Sequence, residues 1–327
     1  MKSRPLVVIL SRSDSPVAEA EAKIEREILA DAANVRTIAL SDRLDPGALP
    51  QEVLDATAII IWHSLTVDAA AIARLEKCRA LIRNGVGFDS IDIAAAAARG
   101  ISVCNVPDYG TEEVADHAIA LSLALCRRLF PLDAEAKRLG WRIEHTERLH
   151  RLSTLVFGIV GLGRIGTATA LRAKALGFHV VFHDPYVPSG THKAVGVERV
   201  SSLEELLRRS DVVSIHCPLN PETAGLIGSR QLALMKPTAH LVNTARGGIV
   251  SKAAAFAALR AGTLAGAGFD VIEDEPLRSA EEAATPNLIA TCHAAFCSVE
   301  GMIEMRSTSA RIARAAVLGQ PVWNRVN

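Results

Sequence analysis

In the stretch VFGIVGLGRIGTATALRAKALGFHVVFHDPY, residues 156–186, a β-rich run leads into three glycines at 161, 163 and 166. A helical run follows, and a second β-rich run ends at Asp184. Strand, glycine turn, helix and strand in this order form a βαβ unit whose Gly-x-Gly-x-x-Gly turn suits a dinucleotide. Gly161 permits the tight turn, Gly163 lets the main chain approach a pyrophosphate, and Gly166 lets the helix lie close to the strand. The helix opens at Arg164 and Ile165, whose end of the helix offers N–H donors and the positive end of the dipole to phosphates. Asp184 stands 18 residues beyond the third glycine, the position from which a carboxylate accepts both hydroxyls of the adenosine ribose. The unit begins halfway along a 327-residue chain, so a large part of the molecule precedes it.

That preceding part also alternates β-rich and helical runs. PLVVIL (5–10), VRTIAL (35–40), TAIIIW (57–62), ALIRNG (80–85) and ISVCNV (101–106) read as strands, with helices over VAEAEAKIEREILA and VDAAAIARLEKC between them. The pattern predicts an α/β domain with a mostly parallel sheet. A long helix is expected after Thr111, which can cap it, with Glu112 and Glu113 complementing the dipole. Beyond the glycine turn, DVVSIHC, AHLVNT, AGAGFDV and NLIAT continue the alternation, and residues 298–319 read as one amphipathic helix stopped at Gly319. Two doubly wound parallel-sheet domains follow.

Composition narrows the function. Thirty-six basic side chains balance 36 acidic ones, so no net field draws nucleic acid or an anionic membrane. Residues 127–151 hold seven Lys or Arg but also four acidic residues, which reads as a solvated helical face. The run PLVVIL is too short for a signal-peptide core or a membrane span. Six cysteines form no Cys-x-x-Cys pair and lie among apolar residues, so buried reduced thiols, a cytoplasmic protein and no metal site are expected.

Three residues fall where later strands should end: Arg246 in LVNTARGG, Glu275 in FDVIEDEP and His293 in IATCHAAF. The carboxyl edge of an open α/β sheet is where ligands bind. The other nine histidines have no such context and read as structural.

These motifs together resemble the D-isomer-specific 2-hydroxyacid dehydrogenases, and within them the branch of the C-terminal-binding proteins. The likeness rests on NGVGFDSIDI, VCNVPDYGTEEVAD, LRAKALGFHVVFHDPY, NTARGG, DxxEDEP and CHAAF followed by IEMR, and it covers nearly the whole chain. It implies a flavodoxin-like substrate lobe, residues 1–108 and 299–327, interrupted by a Rossmann cofactor domain, residues 109–298. It also implies NAD as cofactor, a small 2-keto or 2-hydroxy acid as substrate, and a homodimer.

By the same resemblance Arg246 would hold the substrate carboxylate and carbonyl oxygen. His293 would be the general acid in reduction and the base in oxidation, and Glu275 would fix its tautomer and favour its protonated form. Backbone N–H groups of Val86 and Gly87, with Arg83 nearby, would bind the substrate carboxylate. Asp270 would face the nicotinamide carboxamide, with Thr111, Cys217 and Ala245 lining the ring. Two positions depart from the family pattern: Cys292 stands where most members have Pro, and Phe296 where the C-terminal-binding-protein branch has Trp. Phe296 would wall the side-chain pocket. An NAD(H)-sensing scaffold and a phosphite-oxidising enzyme are the alternatives. Formate dehydrogenases carry glutamine where Glu275 stands.

Overall fold

A computed structural model describes residues 4–12, 22–41, 43–62, 65–141, 146 and 149–327. The chain forms two compact units, Met1–Gly110 with Cys297–Asn327, and Thr111–Phe296.

The first unit runs β1 (Leu6–Arg12), α1 (Lys23–Leu29), β2 (Asn34–Leu40), α2 (Gln51–Asp55), β3 (Ala58–Ile61), α3 (Ala69–Ala73), β4 (Ala80–Arg83), α4 (Ile93–Ala98) and β5 (Ser102–Cys104). Every strand pairing is parallel, in the order β2-β1-β3-β4-β5. This is the flavodoxin-like winding. Strands covered on both faces read as unbroken apolar runs, and β3 (Ala58–Ile61) is buried at every position. The helix predicted over residues 17–30 is described only as α1, because residues 17–21 lie outside the described residues.

The second unit holds α5 (Thr111–Cys126), α6 (Leu129–Lys137), β6 (Val156–Val160), α7 (Arg164–Ala175), β7 (His179–His183), α8 (Thr191–Val195), β8 (Glu198–Arg199), α9 (Leu203–Arg209) and β9 (Val212–Ile215). It continues with α10 (Ser229–Leu232), β10 (His240–Asn243), α11 (Lys252–Arg260), β11 (Gly266–Phe269), α12 (Ala280–Ala283) and β12 (Leu288–Ala290). Its seven strands are parallel in the order β12-β11-β10-β9-β6-β7-β8. The chain winds outward from β6 in both directions, so the switch of direction falls between β6 and β9, beside the glycine turn.

The last helix, α13 (Val299–Val317), is capped by Ser298, whose side chain accepts from the N–H of Gly301 at 2.8 Å. It returns to the first unit, packing on α1, β3 and β4. Two polar links fix it there. Arg306 makes a bidentate ion pair with buried Glu25 at 2.8–2.9 Å, and the Ser309 hydroxyl hydrogen-bonds the Asn84 amide at 2.6 Å.

Two expectations are corrected. Thr111 is the first residue of α5 and not the cap before it, because Gly110 already occupies the turn. Cys78, Cys104 and Cys126 are buried and Cys217 is half-buried, but Cys292 and Cys297 are exposed, since β12 ends at Ala290 and leaves them on the following loop. None of the six cysteines is in a disulfide. Among the described residues no helix is long and apolar enough to cross a membrane.

Candidate active site

The glycine turn is built by close approach. An added Cβ on Gly166 would lie 2.0 Å from the carbonyl oxygen of Gly161, so only glycine lets α7 start against β6. Gly161 has φ +91°, and a Cβ there would meet the backbone nitrogen of Cys217 at 2.8 Å. At Gly163 nothing lies within 4 Å of the missing Cβ. Gly163 and Arg164 are exposed, and no side chain of the N-cap residue closes the first turn of α7. The N-terminus of a 12-residue helix thus faces open space over a glycine, which fits a pyrophosphate.

Asp184 directly follows β7, beside this turn. Its carboxylate accepts from the N–H of Leu162 at 2.8 Å, inside the glycine turn, and from the N–H of Tyr186 at 2.8 Å. One residue therefore ties the end of β7 to the glycine turn. Arg199 donates to the carbonyls of Asp184 and Val187, so that nearby cation braces the loop. The Tyr186 hydroxyl donates to Glu222, and that carboxylate raises the phenol pKa. Burial pushes the Cys217 thiol up to about 11, so it stays a neutral thiol beside the turn.

Farther along the same sheet edge, Arg246, Glu275 and His293 leave three neighbouring strands, β10, β11 and β12. The turn that presents Arg246 is shaped by buried Asn243, whose amide donates to the Arg246 carbonyl at 2.9 Å and whose oxygen accepts from the N–H of Ala245 at 3.0 Å. The Ala245 carbonyl takes one Arg246 guanidinium N–H at 2.8 Å. Gly247 lets this turn touch the loop after β11: an added Cβ would sit 2.0 Å from the carbonyl oxygen of Ile272. The Arg246 and Glu275 loops are therefore packed together.

His293 Nδ1 lies 3.0 Å from a carboxylate oxygen of Glu275, and both side chains are about two-fifths exposed, at 38% and 40%. A carboxylate only accepts, so Nδ1 carries the hydrogen and Nε2 is left to give or take a proton. Phe296 packs edge-on to the imidazole, with ring centroids 6.2 Å apart.

Asp270 is 3% exposed, and its carboxylate holds the loop that carries His293. Its carboxylate accepts from Thr291 Oγ1 at 2.6 Å and from the N–H groups of Ala294 and Ala295 at 2.9 and 3.0 Å. Sequence reasoning found Asp270 only as a ring-facing residue and missed Thr291 altogether.

The first unit carries Arg83 at the end of β4, with Val86 and Gly87 in the turn after it. The Val86 carbonyl accepts from the Asn105 amide at 2.7 Å and the Gly85 carbonyl from the N–H of Val106 at 3.0 Å. The N–H groups of Val86 and Gly87 donate to no described residue. Arg83 folds back to donate to the Asn84 carbonyl and lies over Gly85.

Comparison with known proteins agrees with this geometry. Residues 119–295 match the family model described as "D-isomer specific 2-hydroxyacid dehydrogenase, NAD binding domain". The chain is 34% identical to C-terminal-binding protein 1 of Caenorhabditis elegans, over 97% of this chain and 44% of that one. It is 35% identical to D-3-phosphoglycerate dehydrogenase of Mycobacterium leprae, over 96% of this chain and 59% of that one. It thus spans only about half the length of these two relatives. A D-lactate dehydrogenase of Aquifex aeolicus, solved with NAD and lactic acid, superposes with a TM-score of 0.84 at 28% identity, covering 96% of each chain. An NADPH-dependent glyoxylate/hydroxypyruvate reductase of Sinorhizobium meliloti, solved with NADP and malonate, gives 0.83 at 28% identity, covering 99% of this chain and 97% of that one. With its glycine turn, its three strand-end residues and this likeness along its length, the chain belongs to the NAD-binding D-isomer specific 2-hydroxyacid dehydrogenase family.

Proposed function

We propose that the chain is an NAD-dependent dehydrogenase interconverting a small 2-keto acid and its D-2-hydroxy acid. The observation that carries this reading is the 3.0 Å contact between His293 Nδ1 and Glu275, which leaves Nε2 as the proton-transferring atom at a ligand-binding sheet edge. NAD, when bound, supplies or accepts the hydride. Arg246 holds the substrate carboxylate and carbonyl oxygen, a task suited to the planar guanidinium fork. His293 gives its Nε2 proton to that oxygen in reduction and takes it back in oxidation. Glu275 keeps the ring turned and offsets the charge of the imidazolium. Met1–Gly110 with Cys297–Asn327 serves as the substrate-binding domain, in which the N–H groups of Val86 and Gly87, with Arg83 nearby, suit a carboxylate. In the cofactor domain, Asp184 binds the ribose, while Thr111, Cys217, Ala245 and Asp270 surround the nicotinamide.

The test is NADH oxidation with glyoxylate, hydroxypyruvate, pyruvate, 4-methylthio-2-oxobutyrate and phenylpyruvate, together with NAD reduction by phosphite. Turnover of a keto acid to the D product supports the reading; turnover of phosphite alone replaces it. The likeness to C-terminal-binding protein 1 gives a second reading, an NAD(H)-sensing scaffold. A partner captured only with NADH bound, with no turnover of any acid, would favour it. Binding NAD alone requires none of Arg246, Glu275 and His293, and their joint presence favours catalysis.

The homodimer is assigned to α6. That helix buries none of its residues, Leu129 and Phe130 are more than half exposed, and Leu139 and Trp141 just beyond it are 97% and 91% exposed. Large apolar side chains grouped on one element mark an association surface. A sizing measurement giving a monomer would remove this assignment. The absence of disulfides among the six cysteines suits the reducing cytoplasm.

A further inference from the structure

We propose that His117 is a positioning residue for His293, acting through Thr291 and Asp270. This rests on the reading of His293 as the proton-transferring group.

His117 lies on α5, a helix that packs against β10 and β11. Its Nε2 is 3.0 Å from Thr291 Oγ1, a contact spanning 174 residues of sequence. Thr291 Oγ1 is in turn 2.6 Å from an oxygen of the Asp270 carboxylate. A threonine hydroxyl has one hydrogen to give, and a carboxylate can only accept. Thr291 therefore donates to Asp270, and its oxygen is left to accept from His117. Nε2 of His117 must carry a hydrogen, and the chain runs in one direction, from His117 N–H through Thr291 O–H to Asp270.

Asp270 holds the segment containing His293. Its backbone carbonyl accepts from the N–H of His293 at 2.9 Å, and its carboxylate accepts from the two N–H groups that follow, at Ala294 and Ala295. His293 itself has φ +54°, in the left-handed region. A non-glycine residue reaches that region only when its surroundings over-determine it. Asp270 supplies that constraint, and the same turn aims the imidazole at Glu275 and Phe296. Without an N–H from His117, the Thr291 hydroxyl is free to rotate away from Asp270. The buried carboxylate would then lose its shortest hydrogen bond and the segment its fixed geometry.

The variants are His117→Ala, His117→Gln, Thr291→Val, Thr291→Ser and the double His117→Ala/Thr291→Val. Glutamine presents an amide N–H near the former Nε2, and serine keeps the hydroxyl. His117→Ala and Thr291→Val should each lower kcat by about tenfold to a hundredfold, the scale of a misaimed catalytic group, with the Kd for NADH within about twofold. The Gln and Ser variants should recover most of that loss. The double variant should be no worse than the poorer single, because both break one chain. Additive losses, a fall in NADH affinity matching the fall in kcat, or wild-type kcat in His117→Ala would each overturn the proposal. An arm independent of turnover uses ¹⁵N-histidine NMR on the cofactor-free protein. His117 should show the Nε2–H tautomer, and the His293 ring signals should move in His117→Ala but not in His117→Gln. An Nδ1–H tautomer at His117, or unmoved His293 signals, overturns the proposal even if no keto acid is ever reduced.

Discussion

The glycine turn and the histidine segment sit on one sheet edge of the same unit, yet they are constructed in opposite ways. The turn is backbone: Gly161, Gly163, Gly166 and Asp184 lie within one βαβ unit, and its shape comes from atoms that are missing. The histidine segment is side chain. Its geometry depends on Asp270 from the end of β11, Glu275 from the loop after it, Thr291 after β12 and His117 from α5. The turn should therefore fail when bulk is added, and the segment when a functional group is removed while the fold persists.

The largest effect expected is at His293. His293→Ala should lower kcat by a hundredfold or more, about 3 kcal/mol of barrier, with NADH affinity and Tm nearly unchanged. Retention of near wild-type kcat at saturating keto acid would remove His293 from its role. The counterpart in the turn is Gly166→Ala. Its new methyl meets a backbone oxygen, which cannot swing aside as a side chain would. A stability loss of about 3 kcal/mol is expected, with NADH binding lost alongside it. Intact Tm and intact NADH binding in Gly166→Ala would show that the close approach has no structural consequence.

Acid offers a chemical route into the turn. His216 lies under Gly166, its N–H donating to the Val160 carbonyl and its Nε2 paired with Ser214 Oγ at 2.8 Å. Desolvation pushes its pKa down to about 3 from the ordinary 6.5. The folded protein therefore refuses a proton that the unfolded chain accepts below pH 6.5. Stability from this group is complete above pH 6.5 and declines as the pH falls toward 3, by at most about 1.4 kcal/mol for each unit. In His216→Gln the fall in Tm between pH 7 and pH 4 should be smaller. An identical fall in both proteins would show that His216 is not the group acid attacks.

These differences explain what could be read from the sequence. The glycine turn was legible because every residue that shapes it lies within one short stretch, and steric rules act locally. Arg246, Glu275 and His293 were legible as strand ends, but their pairing needed the resemblance, since nothing in linear order brings Glu275 to His293. His117 read as structural because its partners are 153 and 174 positions away. β8 escaped notice because two residues carry no periodicity. The exposure of Cys292 and Cys297 depended on where β12 stops, and boundaries are the weakest part of any pattern reading.

Asp184 joins the two modes of construction, a side chain serving a backbone turn. In the proposed role at the adenosine ribose its charge would oppose the 2′-phosphate of NADPH, and nearby Arg199 is engaged with main-chain carbonyls. Wild type should favour NADH in kcat/KM. In Asp184→Asn the preference should narrow by about tenfold, some 1.4 kcal/mol, because this edge is open to water and screened. Absolute activity should fall as well, since Leu162 and Tyr186 lose a charged acceptor. Equal or better kcat/KM with NADPH in the wild type would overturn the assignment.

The smallest effect concerns Phe296, in its proposed role as a wall of the side-chain pocket. Its ring meets the His293 imidazole edge-on, so a change here acts on aim and on selectivity together. The two are separable. Loss of aim lowers kcat for every keto acid by one factor, whereas loss of an apolar wall lowers it most for the substrates that press on the wall. A phenyl ring offers a polarisable surface with no N–H donor, which favours aliphatic or thioether groups over hydroxylated ones. Each buried methylene is worth about 0.8 kcal/mol, so 2-oxobutyrate should exceed pyruvate by about fourfold in kcat/KM, and 4-methylthio-2-oxobutyrate should gain further until crowding stops the trend. In Phe296→Ala the series pyruvate, 2-oxobutyrate and 4-methylthio-2-oxobutyrate should flatten, while Phe296→Leu should keep its slope and lose only the factor common to all substrates. If hydroxypyruvate or oxaloacetate leads in the wild type, or the slope survives in Phe296→Ala, the pocket is read by charge and the wall has no part in selecting the substrate.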